Sequence, residues 1–338
     1  MGGTDRKYPV MDPDTPFQRF PFEAHELTEP VTPIQGLFVL AHLGIPHADP
    51  ETWTLDIDGL VQGPMRLSLD DLKGREKRTV EAVHACCGSP LTPRIPKRRV
   101  VNVVWCGVAL DDLLRAAEVE PSARFVWSYG LDYGDFEGTH SDSFVKDLPL
   151  LRLAAGDVLV AYEVNGRPLP IENGFPVRLV VPGFYGTNSV KWLYRMTLAE
   201  RRADGPFVTT FYNDPEPADA GDGGGRGRPV WDIAPESILV HPASGANLRV
   251  GEAVEVFGWA WSPAGVRTLE ISLDDGASWV VAELTACSGW SWQRFRYLWR
   301  PEIAGVVRLR SRASDGSATQ PLTGARNAAH TVEASVTP

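Results

Sequence analysis

Cys86 stands where the run TVEAVHACCG stops reading as a strand and Gly88 opens a loop, an accessible place for a thiolate. A thiolate is a soft ligand for a transition metal and a competent nucleophile. The competing reading makes Cys86 and its neighbour Cys87 small buried hydrophobes, and residue type alone leaves both open. With Cys106 and Cys287 they are the chain's four cysteines, which form no C-x-x-C pair and no disulfide framework. Arg178 lies in the otherwise apolar strand pattern PVRLVVPG, and Lys191 follows in GTNSVKW. A charge placed there needs a partner, and a bound phosphate or a protein carboxylate would serve. The seven histidines show no H-x-x-x-H or H-x-E spacing, which disfavours a histidine zinc site; His42 and His84 are the two worth following. No G-x-S-x-G elbow occurs. The glycine run GDGGGRG lacks the G-x-x-x-x-G-K-[ST] pattern and any strand-to-helix setting, so it is not read as a phosphate loop.

The elements that must carry these residues follow from period and punctuation. WTLDIDGLV, TVEAVHACCG, VVNVVW, FVWSYGLDY, DVLVAYEVNG and PVRLVVPG read as strands closed by Gly or Pro. LSLDDLK and ALDDLLRAA read as helices with acidic first turns, and VKWLYRMTLAER fits either type. This irregular mixture indicates an α+β unit rather than a doubly wound sheet. Residues 1–50 read as an extended or wrapping arm, and 213–232, rich in Pro, Asp and Gly, as a linker. Beyond 233 some seven short strands with DDG and SDG turns in about 100 residues indicate an immunoglobulin-like β-sandwich. Five of the 11 tryptophans (Trp259, Trp261, Trp279, Trp290, Trp292) crowd this part, to fill its core or to form an interface.

The 338 residues are 43% hydrophobic and 22% charged, a globular composition of about two domains. The expected division is 1–212, a linker at 213–232, and 233–338. No apolar run reaches the roughly 18 residues of a membrane span, and the N-terminal residues show no apolar signal core, so the expectation is a cytoplasmic protein. A net charge of −10 argues against a nucleic-acid surface.

The stretch AYEVNGRPLPIENGFPVRLVVPGFYGTNSVKWL resembles the signature core of the sulfite oxidase family of molybdenum enzymes. ACCGS stands where that family has C-A-G-N, WCGVALDDLL follows in the expected order, and HPASGANLRVGEAVEVFGWAWS through RSRASDGSATQP is similar to the family's dimerisation domain. The resemblance implies a molybdopterin-binding α+β fold followed by the sandwich, a Mo-molybdopterin cofactor, and two-electron oxygen-atom transfer involving sulfite or a related small sulfur compound. It makes Cys86 the metal ligand. It gives the cofactor to Phe38, Val39, His42, Asp132, Asn173, Arg178, Ser189, Val190 and Lys191, with Arg178 and Lys191 on its phosphate. Asn173 stands where relatives have His; it can hydrogen-bond but not carry charge. Tyr212 would lie beside the substrate and Trp105 would wall its pocket.

Three positions depart from the pattern. The arginines with which sulfite oxidases bind their oxyanion are replaced by Leu40 after the F-V pair and by Pro90 and Leu91 after the cysteine, and the W-N-x-R-G stretch is missing, with Arg326 a poor substitute. Three lost charged hydrogen bonds, at roughly 1.5–3 kcal/mol each, weaken a dianion site severely. Either Arg94, Lys97, Arg98 or Arg99 refills the site or the substrate is not sulfite; the GTNSVKWLYRM stretch is also similar to the sulfane dehydrogenase branch. The alternatives are reduction of a sulfoxide or nitrate, or a pterin-binding protein without catalysis. With no haem-attachment or Fe–S cysteine set, electrons must pass to or from a separate partner. The dimerisation domain implies a homodimer.

Overall fold

The computed structural model describes residues 10–11, 17–88, 97–215 and 227–338. Strands dominate, and the α-helices are short: Leu69–Lys73, Leu110–Ala116 and Pro206–Thr209. The first helix starts where the sequence provides a cap. The Ser68 hydroxyl accepts the Asp71 N–H, and the Asp71 carboxylate accepts the Ser68 N–H in return. The second buries Leu110, Leu113 and Leu114.

Two sheets build the N-terminal half. One runs in the order Val145–Pro149, Phe125–Gly130, Leu193–Ala199, Thr54–Gly59, Met65–Ser68, antiparallel except where Leu193–Ala199 meets Thr54–Gly59. The segment 190–201, ambiguous from its sequence, therefore holds a strand, over Leu193–Ala199. The other has the order Arg167–Pro168, Leu159–Val164, Val100–Ala109, Arg78–Ala85, with Arg178–Val180 also paired to Leu159–Val164. Their shared core holds Leu55, Ile57, Leu72, Leu110, Val160, Leu179 and Met196. The N-terminal arm pairs with itself, Phe17–Arg19 with Val39–Ala41 and Val10–Met11 with Pro46–His47, and meets the second sheet where the Thr32 N–H donates to Asn102 O (2.7 Å) and Leu37 packs on Val101 and Trp105.

In the C-terminal half a four-stranded sheet (Glu236–His241, Val254–Trp261, Gln293–Trp299, Glu283–Leu284) faces a five-stranded one (Asn247–Arg249, Thr331–Thr337, Gly305–Ser314, Thr268–Ser272, Val280–Val281). Leu239, Val256 and Phe295 from the first meet Leu269, Leu309 and Val332 from the second in one core. The run SWVVAEL, one of the seven or so short alternating strands that the sequence indicates beyond 233, is split: Val280–Val281 pairs within the larger sheet and Glu283–Leu284 within the smaller, so the chain changes sheet at buried Ala282.

Trp259, Trp261 and Trp292 do not fill the core between the two C-terminal sheets; they form an interface inside the chain. They pack with Leu27, Val83, Val100 and Tyr185, joining the C-terminal half to the N-terminal half. Trp259 and Trp292 stack at 4.7 Å, and their indole N–H groups donate to Leu27 O (2.6 Å) and Pro30 O (2.8 Å). The large ring area and single donor of tryptophan suit a boundary where apolar surface meets backbone carbonyls of the arm. Asn213–Asp214 and Arg228–Pro229, at the two ends of the expected linker, pair with each other; the glycine run between them lies outside the described residues. Among the described residues no helix is long and apolar enough to cross a membrane.

Candidate active site

A cavity opens where the arm, the ends of the second sheet and the chain after Gly186 converge. Phe38 and His42 reach it from either end of the strand Val39–Ala41, His84 and Cys86 from the end of Arg78–Ala85, and Trp105 from Val100–Ala109. Asp132, Asn173, Arg178, Ser189, Lys191 and Tyr212 complete the expected set. Val39 and Val190 do not line the cavity; both side chains are buried behind it.

The Cys86 backbone N–H donates to Arg99 O (2.9 Å), tying the cysteine to the chain that returns from the loop. Its sulfur receives the Gly88 N–H at 3.4 Å. Hydrogen bonding from the Cys87 thiol draws the Cys86 thiol well below its ordinary range. Gly88 and the Arg99 guanidinium add to this, and burial opposes it. Cys87 is pushed the other way and lines a second, more open cavity with Tyr185, Asp214 and Arg326. The two adjacent thiols thus divide between two cavities, and only Cys86 faces the first.

Arg178 is fully enclosed, and burial alone lowers its pKa from 12.5 to about 9. It donates to Asn173 O (2.9 Å) and Ser189 O (3.0 Å), lies 3.4 Å from His84 Nε2, and packs over the Trp105 ring. No carboxylate among the described residues pairs with it. Lys191 donates to Leu40 O (3.0 Å) and Glu172 O (3.1 Å). Burial and Arg178 lower its pKa, while Asp132 and Glu172 hold it up. Burial raises Asp132, against the pull of Lys191. Gly174, at φ +109°, lies between the two cations, and a Cβ there would stand 3.1 Å from the Cβ atoms of both.

Tyr212 meets His42 across the cavity wall: the phenolic oxygen and His42 Nε2 share a hydrogen bond. Tyr212 takes φ +61°, a strained conformation for an aromatic residue. Burial, Lys191 and Arg99 lower the His42 pKa to about 4, so its ring is neutral. Sequence reasoning missed Lys146, which is buried, donates to Phe207 O (2.8 Å) and lies 5.5 Å from the centre of the Tyr212 ring. It also left His84 open, yet His84 is a wall residue, kept neutral by burial and by Arg178. Only alternation along the strand, which puts His84 and Cys86 on one side, could have found it.

The basic residues after the cysteine separate. Lys97 bridges to Glu23 through its backbone, and Arg98 is buried against Glu236 and His330. Arg99 alone of the three acts electrostatically on Cys86, His42 and Tyr212 together. Arg326 pairs with Asp214 at the second cavity. Leu40 lines the first cavity, while Pro90, Leu91 and Arg94 lie outside the described residues.

The cavity fits a polyanionic organic ligand. Among the described residues it offers a buried arginine without an acidic partner, a polarised thiol, and three buried polar atoms without a hydrogen-bond partner: His42 Nδ1, Trp105 Nε1 and Asn173 Oδ1. No cluster of three His, Cys, Asp or Glu side chains suited to a metal occurs among the described residues. A metal held here would draw its remaining ligands from a cofactor.

Residues 42–207 match the model of the oxidoreductase molybdopterin binding domain, and residues 228–317 that of the Mo-co oxidoreductase dimerisation domain. The sulfite oxidase of Gallus gallus is 30% identical over 313 residues, covering 85% of this chain and 67% of that protein. The chain belongs to the sulfite oxidase family of molybdopterin oxidoreductases. Within that family the mitochondrial sulfite oxidase of Macaca fascicularis is 31% identical over 320 residues, 87% of this chain, which spans 58% of the macaque protein's length. The sulfane dehydrogenase SoxCD from Paracoccus pantotrophus has the same fold, with a TM-score of 0.78 over 97% of this chain and 86% of that chain at 24% identity. Membership of the family implies Mo-molybdopterin as the cofactor, in agreement with the chemistry of the cavity.

Proposed function

We propose that this chain is the catalytic part of a molybdenum-dependent oxidoreductase that transfers an oxygen atom to sulfite or a related small sulfur compound. The observation that carries the reading is the cavity lined by a polarised Cys86 thiol and an acid-free Arg178, with the Arg99 charge acting on Cys86. In this reading Cys86 holds molybdenum. Arg178 and Lys191 bind the pterin phosphate, supported by the backbone of the Ser189–Val190 segment, and Asp132, Asn173, Phe38 and His42 hold the pterin. When bound, the cofactor supplies two-electron oxygen-atom exchange.

The protein's share is to bind, orient and neutralise. Arg99 offsets the negative charge of a substrate brought near Cys86, in place of the arginine that Leu40 replaces. Tyr212 hydrogen-bonds a substrate oxygen, and the Trp105 ring closes the pocket against water. Leu40 on the wall favours a substrate of lower charge density than sulfite dianion, such as a sulfane sulfur with one anionic terminus.

The wider assembly follows the same proposal. Residues 1–212 form the cofactor domain, 213–232 the linker, and 233–338 an immunoglobulin-like sandwich through which two copies associate. A separate redox protein exchanges electrons with the cofactor.

The test is turnover of the Mo-loaded enzyme with sulfite, thiosulfate and a protein-bound persulfide, using a one-electron dye as acceptor. The proposal expects oxidation of at least one, with Arg99→Met raising its KM more than tenfold. A loaded enzyme that oxidises none of them, or an Arg99→Met enzyme with unchanged KM, would refute it.

A further inference from the structure

The Tyr212 hydroxyl has one proton to give and two lone pairs to fill. Two side chains approach its oxygen. His42 Nε2 is hydrogen-bonded to it, and the nearby Thr187 hydroxyl, buried with no hydrogen bond among the described residues, opposes the rise that burial gives the phenol's pKa. The His42 ring cannot turn freely: it lies 4.2 Å from the Phe136 ring and 5.9 Å from that of Phe207, centre to centre. The ring is neutral, since burial and the nearby Lys191 and Arg99 charges disfavour protonation. A neutral imidazole carries its proton on one nitrogen only, and the other ring nitrogen, Nδ1, is buried without a partner. Placing the proton on Nδ1 would bury an N–H with no acceptor among the described residues, the rarer and costlier defect; placing it on Nε2 leaves a lone pair on Nδ1 that an N–H of the bound pterin would fill, so that His42 serves the cofactor and Tyr212 with opposite nitrogens.

We infer that His42 is a positioning residue for Tyr212: it donates Nε2–H to the phenolic oxygen and so leaves the Tyr212 hydroxyl proton free to be donated to an oxyanion oxygen in the cavity. His42 then fills a lone pair of the phenol. The O–H of Tyr212 is left as a hydrogen-bond donor, as an anionic ligand requires. Donation into the phenol also polarises its O–H and strengthens the bond it makes outward. The φ of +61° at Tyr212 fits a side chain held for a task, and the backbone is locked there by Val230 N–H on Tyr212 O (3.0 Å) and by the Asn213 amide on Val208 O and Phe211 O. The inference rests on the proposed function only in taking the ligand to be an oxyanion.

The experiment uses the holoenzyme labelled with ¹⁵N-histidine, the His42 signals being assigned by their loss in His42→Gln. The expected spectrum shows Nε2 protonated and Nδ1 bare at neutral pH, with the Nε2 signal shifted in Tyr212→Phe. A proton on Nδ1, or an Nε2 signal indifferent to Tyr212→Phe, would overturn the inference. Sulfate as a non-reacting probe gives the second readout. His42→Phe and Tyr212→Phe should each weaken its binding roughly tenfold, the double variant no further, and His42→Gln, which keeps an N–H, should retain most of the affinity. Additive losses would overturn the coupling. Holoenzyme with the expected tautomer that fails to bind sulfate would leave the His42–Tyr212 pair standing and retire the oxyanion reading instead.

Discussion

Replacing Arg178 by Met separates a cofactor anchor from a structural cation. Two opposing effects act on the protein without cofactor. The variant leaves Asn173 O and Ser189 O, now bonded at 2.9 and 3.0 Å, without a donor, at roughly 1–3 kcal/mol each. It also removes a buried charge. Keeping the guanidinium charged with its pKa drawn from 12.5 to about 9 costs about 5 kcal/mol. The two nearly cancel, so the cofactor-free variant should unfold within a few kcal/mol of the parent, in keeping with the near neutrality of replacing buried charges by apolar groups of similar size. Cofactor binding has no such compensation. Losing two charge-assisted bonds to a phosphate, at roughly 1.5–3 kcal/mol each, lowers affinity by about 10²–10⁴-fold. The assay pairs urea unfolding of the cofactor-free proteins with fluorimetric pterin content of the proteins as purified from a cofactor-producing host. The expected result is a small stability change with pterin reduced to a small fraction of the parent. Parent-level pterin in a folded Arg178→Met protein would refute the reasoning, because the arginine would then serve the fold alone.

Further outcomes follow from the same geometry. His42 has a folded-state pKa of about 4 against 6.5 unfolded, so its contribution to stability is present above pH 6.5 and is lost as pH falls toward 4. Relative to His42→Gln, the parent should lose about 2 kcal/mol between pH 6.5 and pH 5, measured by paired urea titrations; parallel pH profiles would contradict this. Trp292→Ala removes a stacked ring and the donor to Pro30 O, and should cost about 3–5 kcal/mol in unfolding; a change below 1 kcal/mol would contradict the role given to this boundary. Gly174→Val forces a β-branched side chain into φ +109° between Arg178 and Lys191 and should lower both stability and pterin content; a variant with parent-level pterin would deny the cradle.

Much of this architecture can be read along the chain, because turn residues punctuate it and most strands bury one face. The Ser68–Asp71 cap and the acidic first turn of Leu110–Ala116 locate the helices. Glu236–His241 is harder to read: nearly every residue is buried, so no alternation marks it. The split of SWVVAEL at Ala282 depends on which sheet each half pairs with, and the sequence does not encode that locally. In the site, motif order placed Cys86, Arg178 and Lys191, which the cavity gathers. The fates of Arg98 and Arg99 were not legible. Adjacent residues on extended chain point to opposite sides, and only the packing of the C-terminal half fixes which one turns to Glu236 and which acts on Cys86. The tryptophan cluster left core or interface undecided for a similar reason: its partners Leu27 and Pro30 lie more than two hundred residues earlier. The His42–Tyr212 bond spans 170 residues and has no sequence signal.

The central claim is that the Cys86 sulfur holds molybdenum, and X-ray absorption at the molybdenum edge tests it most directly. Enzyme purified from a cofactor-producing host should contain molybdenum stoichiometric with the chain, and Cys86→Ser should retain its pterin while the metal loses one sulfur neighbour and gains an oxygen. Parent enzyme without molybdenum, or an absorption spectrum unchanged in Cys86→Ser, would contradict it.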